Sequence, residues 1–250
     1  MSALREFVLR MGDTTLVLSQ QLGTWCGKGP ALEEDLALTN TALDLLGQAR
    51  QWLSYAGELS KPTCDEDQLA FLRDGREFRN FLLVEQPDGS YAGTLVRQFL
   101  FDAWHYFALK ELLASRDERI AAIAGKSLKE VTYHLRRSGD LIVRLGDGTD
   151  LSHQYIQASL DALWPYTGEM FSADAVEEEL SQAGISFNPE ALRKPWADLV
   201  ADVLARGTLK MPSLEAPMQS GGKRGRHTEH LGYLLAELQI LQRSYPGARW

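Results

Sequence analysis

The sequence predicts an all-α protein with a four-helix-bundle core and additional helices at both ends. Its clearest element runs from Glu118 to Leu145, contains no proline and repeats apolar residues three and four positions apart. That spacing indicates one long helix with a buried stripe. Such a helix is roughly 40 Å long at ~1.5 Å per residue, which is typical of a bundle. No segment alternates like a strand and no Pro/Gly/Ser-rich linker divides the chain, so we expect a single domain over residues 1–250.

Apolar periodicity, bounded by proline, glycine and capping residues, predicts the remaining helices. A leading helix and three further core helices are expected at Asp13 to about Trp25, Leu32–Leu59, Asp65 to about Val84, and Tyr91–Ala114. Shorter helices are expected at Ser152–Tyr166, Asp174–Ala183, Pro189–Ala205 and His227–Tyr245. On the helix predicted at Leu32–Leu59, the stripe expected to face inward consists of Leu32, Leu36, Thr39, Leu43, Leu46 and Leu53.

Composition excludes several classes of function. The net charge of −8 argues against a nucleic-acid-binding protein, because the phosphate backbone favours basic surfaces. The two cysteines, Cys26 and Cys64, have neither metal-ligand spacing nor disulfide density. The charged N-terminus does not resemble a signal peptide, and no apolar run approaches the ~20 residues of a membrane span. We therefore expect a cytoplasmic protein with reduced thiols.

The predicted core helices carry acidic side chains near their middles. These are Asp44, Glu77, Asp102 and Glu130. Di-iron bundles take one carboxylate from each of two helices and a Glu-x-x-His pair from each of the other two. Here Asn80 follows Glu77 and Tyr133 follows Glu130 at the positions where the histidines belong. An amide is a weak ligand, and a phenol must first lose a proton of pKa ~10.

These substitutions favour a metal-free polar cluster, the remnant of a metal site. Cationic partners for its carboxylates are available from Arg76, Arg79, His105, His134 and Arg136. The alternative is a self-sufficient di-iron oxidase or hydroxylase using Asp44, Glu77, Asp102, Glu130 and His134. That alternative remains open because Asp102 and His105 have Asp-x-x-His spacing and His134 follows Glu130 by four residues. His227 and His230 could also hold a metal, but the simpler interpretation is that Thr228 and Glu229 help start the last helix and that the histidines make interface contacts.

Several long blocks of the chain resemble a known family. They are GDTTLVLSQQLGTWCGKGPALEEDLALTNTALDLLGQAR, NFLLVEQPDGSYAGTLVRQFLFDAWH, KEVTYHLRRSGDLIVRLGDGTD and GGKRGRHTEHLGYLLAELQ. The family is that of the PaaC-type C subunits of bacterial phenylacetyl-CoA epoxidases, also called phenylacetyl-CoA monooxygenases. The resemblance covers residues 9–250.

The resemblance implies a ferritin-like bundle that has lost its iron ligands and is not itself catalytic. It implies no cofactor in this chain and a di-iron catalytic A subunit as its cytoplasmic partner. A small B subunit and a flavin/iron–sulfur reductase complete the implied complex, which epoxidises the aromatic ring of phenylacetyl-CoA in aerobic phenylacetate degradation. A homodimer is one candidate state of the chain on its own, which the sequence does not decide.

Two basic segments are candidates for contact with the CoA thioester. The first comprises Arg76, Glu77, Phe78, Arg79 and Asn80, and the second comprises Lys223, Arg224 and Arg226. Guanidinium groups beside an aromatic ring suit phosphates and adenine. The alternative for both segments is a solvated basic patch or a protein–protein contact. Trp164, Trp196 and Trp250 are predicted anchors of the subunit interface.

Overall fold

The computed structural model describes residues 2–87, 89–213 and 215–248. Within these ranges every regular element is a helix, which confirms the all-α, ferritin-like fold class. The helices are α1 (Ala3–Gly23), α2 (Leu32–Glu58), α3 (Glu66–Phe71), α4 (Tyr91–Leu112), α5 (Glu118–Gly146), α6 (Asp150–Leu163), α7 (Ala175–Gln182), α8 (Pro189–Arg206) and α9 (Glu229–Ser244). In the same ranges, no helix has the length and apolar character needed to cross a membrane.

The chain forms two compact units, one from residues 1–87 and 220–250 and the other from residues 88–219. The first unit contains α1, α2, α3 and α9, and the second contains α4 to α8. Organisation as a single domain over residues 1–250 stays a prediction.

In the first unit, α1 and α2 pack closely along their lengths. Gly12 permits this approach, because a Cβ atom at that position would lie 2.7 Å from Leu53 Cδ2. The predicted start of the first helix at Asp13 is wrong. Ser2 caps α1 by accepting a hydrogen bond from the Arg5 N–H, and Asp13 lies in mid-helix with no exposure. A buried aspartate in mid-helix needs a partner from elsewhere in the fold. Helix-capping preferences describe local sequence and do not reveal such a partner.

The predicted helix from Asp65 to Val84 is also wrong. Only α3 is α-helical there, and two 3₁₀ turns follow it at Gly75–Glu77 and Leu82–Glu85. A new turn begins at Asp74, whose N–H donates to Glu77 Oε2 at 2.8 Å. Beyond it the backbone is extended at Phe78 and Phe81, and both rings are buried. Local capping and burial of these two rings therefore replace the expected helix.

The inward stripe predicted for α2 is on the wrong face. The buried residues include Leu38, Leu45, Trp52 and Ala56, and of the predicted stripe only Leu53 is fully buried. Thr39 is half-buried, while the four remaining leucines are 39–71% exposed. The helix carries two apolar stripes, and periodicity alone does not tell which of them contacts α1.

In the second unit, α5 matches the predicted central helix closely, and α4, α6, α7 and α8 match their predictions with small shifts at the ends, as does α9 in the first unit. Between Thr94 and His105 every residue of α4 is buried, as expected for a helix with apolar residues on all sides.

Two of the predicted interface anchors are core residues instead. Trp164 and Trp196 are each 1% exposed, and their indole N–H groups donate to the carbonyls of Ser213 and Leu100, each at 3.0 Å. The prediction for these two side chains is therefore wrong. Large aromatic rings are stable in a core when their N–H groups have hydrogen-bond acceptors, as they do here. The third anchor, Trp250, lies outside the described residues.

Candidate functional site

A buried polar cluster joins α4 and α5 in the second unit. Asp102 has no exposure; its Oδ1 accepts from Gln98 Nε2 at 2.6 Å and its Oδ2 from Ser138 Oγ at 2.8 Å. Gln98 lies one turn before Asp102 on α4, so the two side chains share a helix face. His134 lies one turn before Ser138 on α5 and interacts electrostatically with the Asp102 carboxylate.

Burial sets the charge states in this cluster. Burial raises the pKa of Asp102 to about 6, against the opposing effects of His134, Ser138, Gln98 and Arg137. His105, one turn further along α4, is also fully buried, and burial followed by the field of His134 lowers its pKa to about 3.

His105 has an apolar environment. Its ring centroid lies 4.9 Å from that of Phe101, and Trp104 stacks beside it at 6.2 Å. Among the described residues, neither of its ring nitrogens has a hydrogen-bond partner. His105 is therefore a neutral imidazole at physiological pH, so it does not supply the cationic pairing that the sequence suggested for it.

The remaining candidates on α5 divide between two faces. His134 is buried, Glu130 is half-buried, and Tyr133 and Arg136 are exposed. A helix turns about 100° per residue, so the neighbours of His134 point away from Asp102. Tyr133 therefore does not occupy the place of a metal ligand in a buried site.

The candidates in the first unit are similarly dispersed. Asp44 is half-buried on α2, and Glu77 is exposed in a 3₁₀ turn. Asn80 is buried and donates through Nδ2 to Glu85 Oε2 at 2.9 Å and to the Phe81 carbonyl at 3.1 Å. Glu77 and Asn80 consequently do not form a pair on one helix face.

The sequence analysis did not identify Glu85, a carboxylate of the first unit that has no exposure. Besides Asn80, it accepts from the Thr228 N–H at 2.6 Å and contacts His227 Nδ1 at 2.8 Å. His227 Nε2 lies 3.1 Å from the Phe78 carbonyl. Both ring nitrogens of His227 therefore face acceptors, the Glu85 carboxylate and the Phe78 carbonyl. The available signal was a lone acidic residue in the apolar run FLLVEQP.

A second buried acid, Asp13, holds the segment after α3. Its carboxylate forms an ion pair with Arg73, which is 8% exposed, and Oδ2 also accepts from the Arg79 N–H at 2.9 Å. The Arg79 side chain is directed to Glu6, with Nε 2.9 Å from Oε1. This arrangement fixes the extended backbone through which Asn80 reaches Glu85.

The residues do not fit a di-iron centre. Three fully buried carboxylates, those of Asp13, Glu85 and Asp102, are each held by donors of the protein itself, as described above. Over the described ranges, no three His, Cys, Asp or Glu side chains are grouped so that they could hold a metal ion. The absence of a cofactor from this chain stays a prediction.

The two predicted basic segments meet in the first unit. Arg76, Arg224 and Arg226 line one pocket of about 990 Å³, together with residues 74–77 and the loop that precedes α9. Other members of these segments lie elsewhere: Phe78 and Lys223 are buried, and Arg79 is paired with Glu6. Tertiary structure thus selects three of the predicted arginines as one surface feature.

Together these features define a ferritin-like helical protein whose buried carboxylates bind protein side chains. The family model described as phenylacetic acid catabolic protein matches residues 1–250. The chain is 51% identical over 250 residues, the full length of both proteins, to the C subunit of 1,2-phenylacetyl-CoA epoxidase from Escherichia coli (strain K12). The chain therefore belongs to the phenylacetic acid catabolic protein family, which confirms the resemblance seen in its sequence.

Proposed function

We propose that this chain is a structural, non-catalytic subunit of a multicomponent phenylacetyl-CoA epoxidase. In this proposal it pairs in the cytoplasm with a homologous di-iron catalytic subunit and stabilises it, while a small B subunit and a reductase complete the complex. The full-length similarity to the C subunit of an epoxidase supports the assignment to this system. The exposed leucine stripe of α2 carries the proposal that the chain acts by pairing.

The leucine stripe consists of Leu32, Leu36, Leu43 and Leu46. At about 100° per residue these side chains span an arc of ~80°, centred roughly 130° away from the face buried against α1. They are 71%, 55%, 59% and 39% exposed, respectively. Four leucines aligned over about four turns are an apolar surface that usually marks a protein–protein contact. The proposed occupant is the catalytic subunit.

The double substitution Leu36→Ala and Leu43→Ala is expected to weaken pairing about 100-fold. Burying the exposed part of each removed side chain is worth ~1.4 kcal/mol at ~0.8 kcal/mol per CH₂, and every 1.4 kcal/mol corresponds to a tenfold change in affinity. The measurement is co-purification, and then a dissociation constant, with the catalytic subunit produced in the same cells.

Leu151→Ala with Tyr155→Ala provides a matched control, because both are exposed apolar residues on a different helix, α6. The control is expected to pair like the unmodified chain. Equal affinity of the stripe variant and the unmodified chain would remove α2 as the docking face. A sizing column run on the chain alone also tests for a homodimer.

A non-catalytic role predicts that the chain retains no stoichiometric iron. The competing proposal, a self-sufficient di-iron oxidase, uses Asp44, Glu77, Asp102, Glu130 and His134. It is disfavoured because Glu77 is exposed in a turn and Asp102 is held by Ser138 and Gln98. The test is elemental analysis of the chain expressed alone in iron-supplemented medium. About two iron atoms per chain, as in di-iron bundles, would establish the competing proposal instead.

A further inference from the structure

We propose that Arg76, Arg224 and Arg226 form a binding site for a phosphate-ester anion, whose natural source is the nucleotide end of a CoA thioester. The choice of CoA as the source rests on the proposed function. The site itself follows from charge, loop geometry and pocket size in the first unit.

The charge balance of the pocket is positive. Among the described residues, the guanidinium groups of Arg76, Arg224 and Arg226 have no carboxylate partner. The lining also contains two acidic residues. Asp74 Oδ1 lies 3.1 Å from Arg243 Nη2, whereas, within the described ranges, Glu77 Oε2 accepts only from the Asp74 N–H and keeps its charge. Three guanidinium groups against one such carboxylate leave a net positive charge, which favours an anion.

A glycine brings the arginines together. Gly225 has a φ of +72°, and a Cβ atom there would lie 2.1 Å from the Arg76 carbonyl oxygen. Only glycine permits this contact between the loop and the backbone of Arg76. Arg224 and Arg226 flank that glycine, so both begin beside Arg76 although about 150 residues of chain separate them.

A buried anchor holds the loop in place. His227 follows Arg226 directly and binds Glu85 and the Phe78 carbonyl, while the Thr228 N–H also binds Glu85, which has no exposure. The backbone that carries the two arginines is therefore ordered before any ligand arrives. Preorganisation of this kind reduces the entropy lost on binding. His227 lines the pocket and Glu85 lies beneath it, and both act as positioning residues for the loop.

The ligand class follows from the donors and the size of the pocket. Guanidinium groups bind phosphate oxygens through two parallel hydrogen bonds, and three of them match a ligand with several phosphate oxygens better than a single carboxylate. A pocket of about 990 Å³ is at the upper end of the ~300–1,000 Å³ typical of small-molecule sites. It therefore has room for a nucleotide as well as its phosphates.

Calorimetric titration of the purified full-length chain with CoA, dephospho-CoA and inorganic phosphate tests the proposal. We expect CoA to bind, and the double variant Arg224→Gln, Arg226→Gln to bind it at least about tenfold more weakly. We expect CoA affinity to fall as salt is raised, because the contacts are ionic. Weaker binding of dephospho-CoA would indicate that the 3′-phosphate occupies the site, whereas equal affinity for inorganic phosphate would identify free phosphate as the ligand.

The matched control is Arg136→Gln with Arg206→Gln, which removes the same charge from exposed positions on α5 and α8. Equal weakening by this control, equal CoA affinity in the pocket variant, or no binding by the unmodified chain would each overturn the proposal. Thermal unfolding of both double variants excludes loss of folding as the cause. Since binding is measured on the chain alone, its failure is separate from failure to pair with the catalytic subunit.

Discussion

Replacing Asp13 by Ala is expected to lower the free energy of unfolding by about 3–5 kcal/mol, the usual result of removing one partner of a buried ion pair. The Arg73 guanidinium, 8% exposed, would lose its carboxylate, and the Arg79 N–H would lose its acceptor. The loss is large because Arg73 is mostly buried, so water compensates little of its charge. Urea unfolding followed by circular dichroism at neutral pH measures the change.

A surface ion pair in the same unit supplies the control. Glu66 contacts Arg50 at 3.0 Å, but the Arg50 side chain is 76% exposed. Glu66→Ala is expected to lower stability by no more than ~1 kcal/mol, because water screens such pairs. Similar losses for Asp13→Ala and Glu66→Ala would show that the Asp13–Arg73 pair contributes no more than a surface contact.

Replacing Asp102 by Asn is expected to change how stability depends on pH. The pKa of Asp102 is raised to about 6 in the folded chain, so between pH ~4 and ~6 the folded state binds more protons than the unfolded state. Stability from this group is therefore present at low pH and is lost as pH rises through about 6. Relative to Asp102→Asn, the unmodified chain should lose about 2–3 kcal/mol between pH 4 and pH 7, at ~1.36 kcal/mol per pKa unit.

The comparison between the two proteins reports on Asp102 together with its interaction with His134. His105 has a lowered pKa, so its own contribution is lost as pH falls below ~6.5, but it is present in both proteins and largely cancels. The measurement is chemical unfolding at half-unit pH steps. Asp140→Asn, which removes an exposed carboxylate from the same helix pair, is the control. The same pH dependence in both variants, or a constant difference for Asp102→Asn, would contradict the raised pKa of Asp102.

The sequence predicted most of the helical elements because the relevant signals are local. The long stripe of α5, the breaks around Pro62 and Gly89, and the long α2 each depend on residues within a few turns of one another. The same local reading failed after α3, where two buried aromatic rings and a new turn at Asp74 interrupt an apolar pattern that is compatible with a helix.

The candidate site was predicted only in part. Asp102 and His134 do lie in one buried cluster between α4 and α5, as their positions in mid-helix suggested. Tyr133 is exposed because it precedes His134 by one residue, which turns its side chain about 100° round the helix. Glu77 is exposed because a 3₁₀ turn replaces the helix that was expected there. Glu85 and Asp13 were not predicted as buried, because the residues that pair with them are remote in the chain and leave no local signal in the sequence.

The sequence by itself determined the all-α class, the position of α5, α2 and the later helices, and the family. Tertiary structure alone decided which stripe of α2 is buried, which acids are internal, and which arginines share a pocket. The physical reason is the range of the interactions involved. Helix periodicity and capping act over about four residues, whereas the Asp13–Arg73 and Glu85–His227 pairs join residues 60 and 142 positions apart.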